Sequence, residues 1–258
     1  YYEGLIQNFP KASPAALAEA HFLLGRAAFD QGDFKSSISH MAEAKTLDPQ
    51  KYGEQVNVLS VLSYHKLQDV NKLKEALETL QKENPSAVAR VPDVIPAWLG
   101  LQAYGMKDLE TADKYMTWAT QNDQLQNVKK VIWRNLAKVR LALRKYDRAL
   151  VASNNFLKDE DQPYRRADGM LDKASILLGL GKYADARKTA EDALALGVEG
   201  PLMASLKIVL GDISYAEKKF DEAAKHYGVT AELFVNDAEL KPKAPVSYTH
   251  LTLPTIRL

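Results

Sequence analysis

The chain of 258 residues contains no cysteine. That excludes a disulfide framework and any cysteine-ligated metal centre. It also lacks an apolar run of about 18 residues or more, so no stretch reads as a membrane-spanning helix. Charge of one sign is missing too: 34 Lys and Arg against 33 Asp and Glu leave a formal net charge of +1. A chain so balanced carries no electrostatic footprint for nucleic acid or for an anionic membrane surface.

Catalytic signatures are equally scarce. None of His21, His40, His65, His226 and His250 stands in H-E-x-x-H or a comparable ligand spacing, so the histidines read as packing or surface residues. No serine occupies a nucleophile elbow. Gly179-Leu180-Gly181 follows a helical pattern and lacks the full spacing of a phosphate loop. Asp159-Glu160-Asp161 has no glycine-turned ligand frame and reads as a solvated linker. Glu43, Glu78, Asp108 and Glu222 fall at helical spacing from lysines, which suits exposed faces with i,i+4 pairs. The reading is of a non-enzyme: no catalytic residue, no metal and no cofactor.

What is present is a period. A small or apolar residue recurs at Ser37, Leu73, Ala112, Ala149, Ala186 and Ala223, at intervals of 36, 39, 37, 37 and 37. Three residues before each stands Phe34, Val70, Leu109, Tyr146, Tyr183 or Phe220, with a polar residue just ahead of it. Each unit thus reads as helix A, a tight turn and helix B. Two antiparallel helices bury a stripe against each other, and a small residue at their crossing lets the backbones approach. Gly25, Gly100 and Gly211 fill that place in helix A, and Ala137 and Ala174 fill it in two further units. Gly costs about 1 kcal/mol relative to Ala inside a helix, so glycines sharing one phase call for a packing reason.

The pattern resembles the tetratricopeptide repeat, W-x2-L-G-x2-Y…A-x3-F…P. Leu24-Gly25, Gly32, Met41, Ala44 and Pro49 match it best. Leu99-Gly100 with Ala112, Met116 and Ala119, Trp133 with Leu136, Ala137 and Ala149, and Leu210-Gly211 with Ala223 and Tyr227 match in part. The period exceeds the family's, which is about 34 residues. The resemblance implies an all-α fold, a right-handed α-solenoid of about six helix-turn-helix hairpins. Their expected spans are 14–49, 53–85, 93–122, 128–158, 165–197 and 201–236.

Ser13 with Pro14 is a helix start, Asp93 is a cap for the third unit, and Leu196-Gly197 is a left-handed helix end. Pro85, Pro92 and Pro96 make the most proline-dense part of the array and its expected hinge. The phase resumes at once beyond them, so one continuous array over 1–240 is expected. Residues 1–12 match the end of a helix B, as in a fragment that starts within a repeat. Residues 241–258 lose the helical period. They resemble a translated sequencing-adapter tail on a metagenomic reading frame and read as disordered and non-native; the competing reading is an edge strand.

The segment from Phe9-Pro10 through Leu24-Gly25 to Gly32-Asp33-Phe34 also resembles repeats of bacterial envelope proteins of the Tol-Pal-associated and outer-membrane assembly type. It implies a periplasmic or outer-membrane-associated setting in preference to the cytoplasm. In the tetratricopeptide family the A helices line a concave groove. By phase, the groove positions fall on Arg26 and Phe29, Leu62 and His65, Leu101 and Tyr104, Arg134 and Lys138, Asp172 and Ser175, and Asp212 and Tyr215. Arg134 and Lys138 lie one turn apart and suit either an acidic group or an exposed basic face. The implied function is a protein-protein interaction scaffold holding a peptide or partner helix. The alternative is one arm of a larger regulatory or enzymatic protein. The expected partner is protein, with self-association open, and not nucleic acid or a bilayer.

Overall fold

Each A–B pair of the period is joined by a turn of one conformation, and that turn sets the element order. The computed structural model describes residues 2–8, 12–121 and 126–233. Among them every element is a helix. The α-helices are α1 (Tyr2–Asn8), α2 (Pro14–Asp30), α3 (Phe34–Leu47), α4 (Pro49–Lys66), α5 (Val70–Glu83), α6 (Val94–Gly105), α7 (Leu109–Thr120), α8 (Gln126–Ala142), α9 (Tyr146–Lys158), α10 (Pro163–Gly179), α11 (Tyr183–Leu194), α12 (Gly200–Ala216) and α13 (Phe220–Leu233). A 3-10 turn, Pro85–Arg90, stands between α5 and α6. The tail expected over 241–258 lies outside the described residues.

In the six turns one residue has positive φ: Gly32, Gln68, Lys107, Arg144, Gly181 and Lys218, at φ 83°, 56°, 63°, 57°, 72° and 63°. They share one phase, two residues before the first helical residue of each B helix. At Gly32 the turn is closed by Gly32 N–H to Phe29 O (3.0 Å) and Asp33 N–H to Ala28 O (2.8 Å). This is the left-handed helix end that satisfies terminal carbonyls. Aspartates then cap the next helix: Asp33 accepts from Ser36 N–H (3.1 Å), Asp69 from Lys72 N–H (3.0 Å) and Asp108 from Thr111 N–H (3.2 Å). Ser13 caps α2 through Ala16 N–H (3.3 Å). Asp93 stands at the start of α6, but its side chain makes no capping bond.

The boundary that differs most from expectation lies at Pro49. Pro49 does not close the first hairpin; it opens α4, four residues before the expected start at 53. Asp48 ends α3 and caps α4, accepting from Lys51 N–H at 3.0 Å. A proline suits a first helical position, where its missing N–H costs nothing.

The chain divides into two compact units, Tyr1–Met106 and Lys107–Leu258. The cut falls in the turn of the third hairpin, not in the proline-dense stretch expected to be the hinge. That stretch instead forms the 3-10 turn and the start of α6, with Ala87, Val91 and Ile95 buried.

In the first unit Ala18, Met41, Tyr52 and Val56 form a core with Phe22, Leu47 and Leu59 packed on it. Phe22 stacks on Tyr52 at 4.7 Å between centroids. Leu73, Leu77 and Leu80 give α5 a fully buried stripe, each worth about 2 kcal/mol by area. In the second unit the core runs through α10, α11 and α12, with Ala174, Leu177, Ala186, Ala190, Leu206 and Leu210 among its members. The six residues that mark the period, Ser37, Leu73, Ala112, Ala149, Ala186 and Ala223, are all 0% exposed. Two of the crossing glycines have close neighbours: a Cβ on Gly25 would meet Met41 Cγ at 3.1 Å, and one on Gly211 would run into the Tyr227 ring.

Candidate partner-binding face

The A helices project the residues that the period singles out. Phe29, His65, Tyr104 and Tyr215 each lie eight residues before a period marker, at Ser37, Leu73, Ala112 and Ala223. Counted the same way, Leu141 and Leu178 hold this place in the fourth and fifth hairpins. Arg134 and Asp172 lie about one turn earlier on their helices than Arg26 does on α2.

In the first unit Arg26 and Phe29 come together. With Phe22 and Asp30 of α2, Gln55, Val58 and Leu59 of α4, and Arg90 of the 3-10 turn, they line an open cleft of about 260 Å³. Phe29 is held edge-to-face by Phe34 across the turn, at 5.4 Å between centroids. Arg26 is exposed and has no ion-pair partner among the described residues. Further along the same unit, His65 of α4 meets Trp98 of α6 edge-to-face at 5.3 Å. Burial, and then the Lys66 charge, lower the His65 pKa. Leu62, Leu101 and Tyr104 are half-buried.

In the second unit the charged residues of the face are already matched. Arg134 of α8 pairs with Asp168 of α10, and Lys138 reaches Asp172 at 3.8 Å. The acidic group that Arg134 and Lys138 suit is therefore supplied by the next A helix. Asp172 is mostly buried, with 15% of its side chain exposed. Burial pushes its carboxyl up to about 6, against the pull of Lys138 and Arg134. Ser175 turns back to bond Leu171 O on its own helix (3.0 Å). Asp212 accepts a bond from the Tyr227 hydroxyl at 2.6 Å, which fixes α13 on α12. Burial, then that bond, hold the Tyr227 hydroxyl well above the usual phenol range. Tyr215 is half exposed and packs edge-to-face on Phe220 at 5.4 Å.

Among residues that sequence reasoning passed over, Arg90 and the apolar pair Val58 and Leu59 line the cleft. Val58 and Leu59 had a legible signal, standing 15 and 14 residues before Leu73 as Arg134 and Asp172 stand before Ala149 and Ala186. Arg90 reaches the cleft through the 3-10 turn, which no helical period predicts. His21 and His40, nineteen residues apart, meet Nδ1 to Nδ1 at 3.0 Å. Among the described residues no group of three or more His, Asp or Glu side chains is placed to hold a metal ion. No helix among them is long and apolar enough to cross a membrane.

Residues 18–51 and residues 171–232 each match a family model described as tetratricopeptide repeat. The chain carries tetratricopeptide repeats. No curated protein matches the sequence. Among solved structures, this tetratricopeptide-repeat chain is similar to Naa15/Naa10 bound to HypK-THB, at TM-score 0.58 and 14% identity over 97% of this chain and 36% of that one. It is similar to the apo form of RapI at TM-score 0.54 and 14% identity, over 93% of this chain and 72% of that one. It is also similar to PilF of Pseudomonas aeruginosa, at TM-score 0.46 and 17% identity over 92% and 97% of the two chains. At such identities the first two likenesses establish the all-α repeat fold and nothing finer.

Proposed function

We propose that this tetratricopeptide-repeat chain is a non-enzymatic scaffold that holds a peptide segment of another protein on the A-helix face of its first unit. The observation that carries the reading is the cleft between α2 and α4. It combines an apolar floor, Phe22, Phe29 and Leu59, with polar groups at Arg26 and Gln55. Tight peptide docking needs an apolar side chain removed from water and a few polar groups that set its register. In the second unit, by contrast, Arg134 pairs with Asp168 and Lys138 stands 3.8 Å from Asp172, so both cations already face acids of this chain.

The test is capture of a peptide ligand by the purified chain, followed by Phe29→Ala and Leu59→Ala. Both side chains line the cleft, Leu59 also packing on the core of the first unit, and both substitutions are expected to weaken binding about tenfold or more, with circular dichroism checking that each variant is folded. Undiminished binding by both variants overturns the assignment. The same proposal places the chain in the bacterial envelope, supported by the resemblance of the segment from Phe9 to Phe34 to envelope repeats. Fractionation of the source cells with antibody detection tests it, and recovery in the cytoplasm alone removes it.

A further inference from the structure

The interval between period markers is longest, 39 residues, from Leu73 to Ala112. The additional chain is not a slack loop. It forms the 3-10 turn Pro85–Arg90, which packs against α4 and α5. Ala87 at 1% exposure and Val91 at 5% pin it down. Its last residue, Arg90, reaches Glu54 on α4, Nη1 to Oε1 at 2.6 Å, and lines the same cleft as Arg26 and Phe29. An insertion between repeats therefore delivers a second guanidinium to the candidate site.

We propose that this insertion makes the cleft selective for an acidic peptide, one whose large apolar side chain sits against Phe22, Phe29 and Leu59 with a carboxylate beside it on Arg26 and Arg90. The inference rests on the peptide-groove reading above and adds the chemistry of the occupant. Charge complementarity commits it. Two guanidinium groups line the cleft with Asp30 as the acid among its lining residues, and Glu54 stands beside it, on Arg90. Arg26 has no ion-pair partner among the described residues. Among the described residues Arg90 has only Glu54, and with 60% and 38% of the two side chains exposed that pair is of the solvent-screened kind, readily exchanged for a better partner. A guanidinium offers a planar fork that a carboxylate fits with two parallel bonds. A basic peptide would set its own cations against both arginines.

The experiment is selection from a displayed library of random 12-residue peptides with both termini blocked by fusion, read by sequencing. It is run on the wild-type chain and on Arg90→Glu, Phe29→Ala and Leu59→Ala, each checked for folding by circular dichroism. The expected wild-type result is an apolar anchor flanked by Asp and Glu. Arg90→Glu is expected to keep the anchor, lose the acids and gain Lys or Arg. A selected acidic peptide should bind Arg90→Glu about tenfold more weakly and lose affinity as salt rises. An enriched anchor without flanking acids, or an acid preference that Arg90→Glu leaves intact, overturns this inference while the groove reading stands. No enrichment in the wild type, or enrichment that survives both Phe29→Ala and Leu59→Ala, overturns the groove reading and this one with it.

Discussion

Arg140 Nε donates to Asp113 Oδ1 at 2.8 Å, and more than nine-tenths of each side chain is buried. The guanidinium also donates to Thr117 Oγ1 at 2.7 Å and to Arg148 O at 3.2 Å, and Lys145 Nζ reaches the second Asp113 oxygen at 3.0 Å. Helix α7 is thereby tied to α8 and to the start of α9. Two hairpins later the polarity reverses. Arg187 stands one residue after Ala186, as Asp113 stands one after Ala112. It faces Glu217 at 2.7 Å, Glu222 at 2.6 Å and Ser214 Oγ at 3.1 Å.

Breaking the buried pair from one side leaves an uncompensated charge. Asp113→Ala is expected to destabilise the second unit by about 3 kcal/mol, while Asp113→Leu with Arg140→Met comes close to wild type. A urea-denaturation cycle on Asp113→Leu, Arg140→Met and the double variant measures the coupling. Equal, additive losses would show that the pair is not coupled.

Asp172 in the second unit and His21 in the first are expected to contribute to the pH dependence of stability in opposite senses. In the second, burial raises Asp172 to about 6, so the folded state holds this proton more tightly than the unfolded chain does. Its contribution is fully present below the unfolded value near 4 and is lost as pH rises through about 6. Asp172→Asn should therefore match wild type near pH 4 and exceed it at pH 8, by about 1–3 kcal/mol. In the first unit burial, and then the His40 charge, lower the His21 pKa against the pull of Glu43. The unfolded chain then binds more protons, so stability is present above about pH 6.5 and falls as pH drops. His21→Gln should blunt that acid-side loss. Melting temperatures of the three proteins from pH 4 to pH 8 test both signs.

Crossing glycines differ in what they touch. A methyl group at Gly211 has no room beside the Tyr227 ring, whose hydroxyl is tied to Asp212. Gly211→Ala is expected to cost about 1–3 kcal/mol by overpacking. At Gly25 the nearest atoms belong to the Met41 side chain and His40 Cβ, at 3.1 and 3.2 Å. Met41 yields more easily than a pinned ring, and Ala gains about 1 kcal/mol of helix propensity, so Gly25→Ala should lie near neutral. Chemical denaturation of the two variants checks the contrast.

Four of the six left-handed turn residues carry side chains. Gln68, Lys107, Arg144 and Lys218 hold φ between 56° and 63°, where L-residues are disfavoured. Replacing Lys218 by Gly is expected to add up to about 1 kcal/mol of stability, the released strain exceeding the added freedom of the unfolded chain. Gly32→Lys should cost a similar amount. Thermal melts of the two variants settle the sign.

How far the primary structure reaches is clear from particular residues. The six period markers are spaced by the need of one small or apolar side chain at each helix crossing, and all six are fully buried. Asp33, Asp69 and Asp108 declare their turns because a short acid at a helix start bonds the free N–H groups there. Asp108 and Glu222, read as exposed i,i+4 partners, do other work: Asp108 caps α7 and Glu222 pairs with Arg187 from the preceding hairpin. Spacing within one helix says nothing about charges on the next.

Local physics therefore determined the helices, their turns and the all-α repeat fold, since period, caps and crossing residues act over a few neighbours. Tertiary structure alone decided which polar groups meet. It paired Asp113 with Arg140, joined His21 to His40, neutralised Arg134 and Lys138 with acids from α10, and carried Arg90 to the cleft of Arg26 and Phe29. These partners lie between 19 and 64 residues apart in the chain. Their meeting depends on how whole hairpins stack and on a 3-10 turn that follows no helical period.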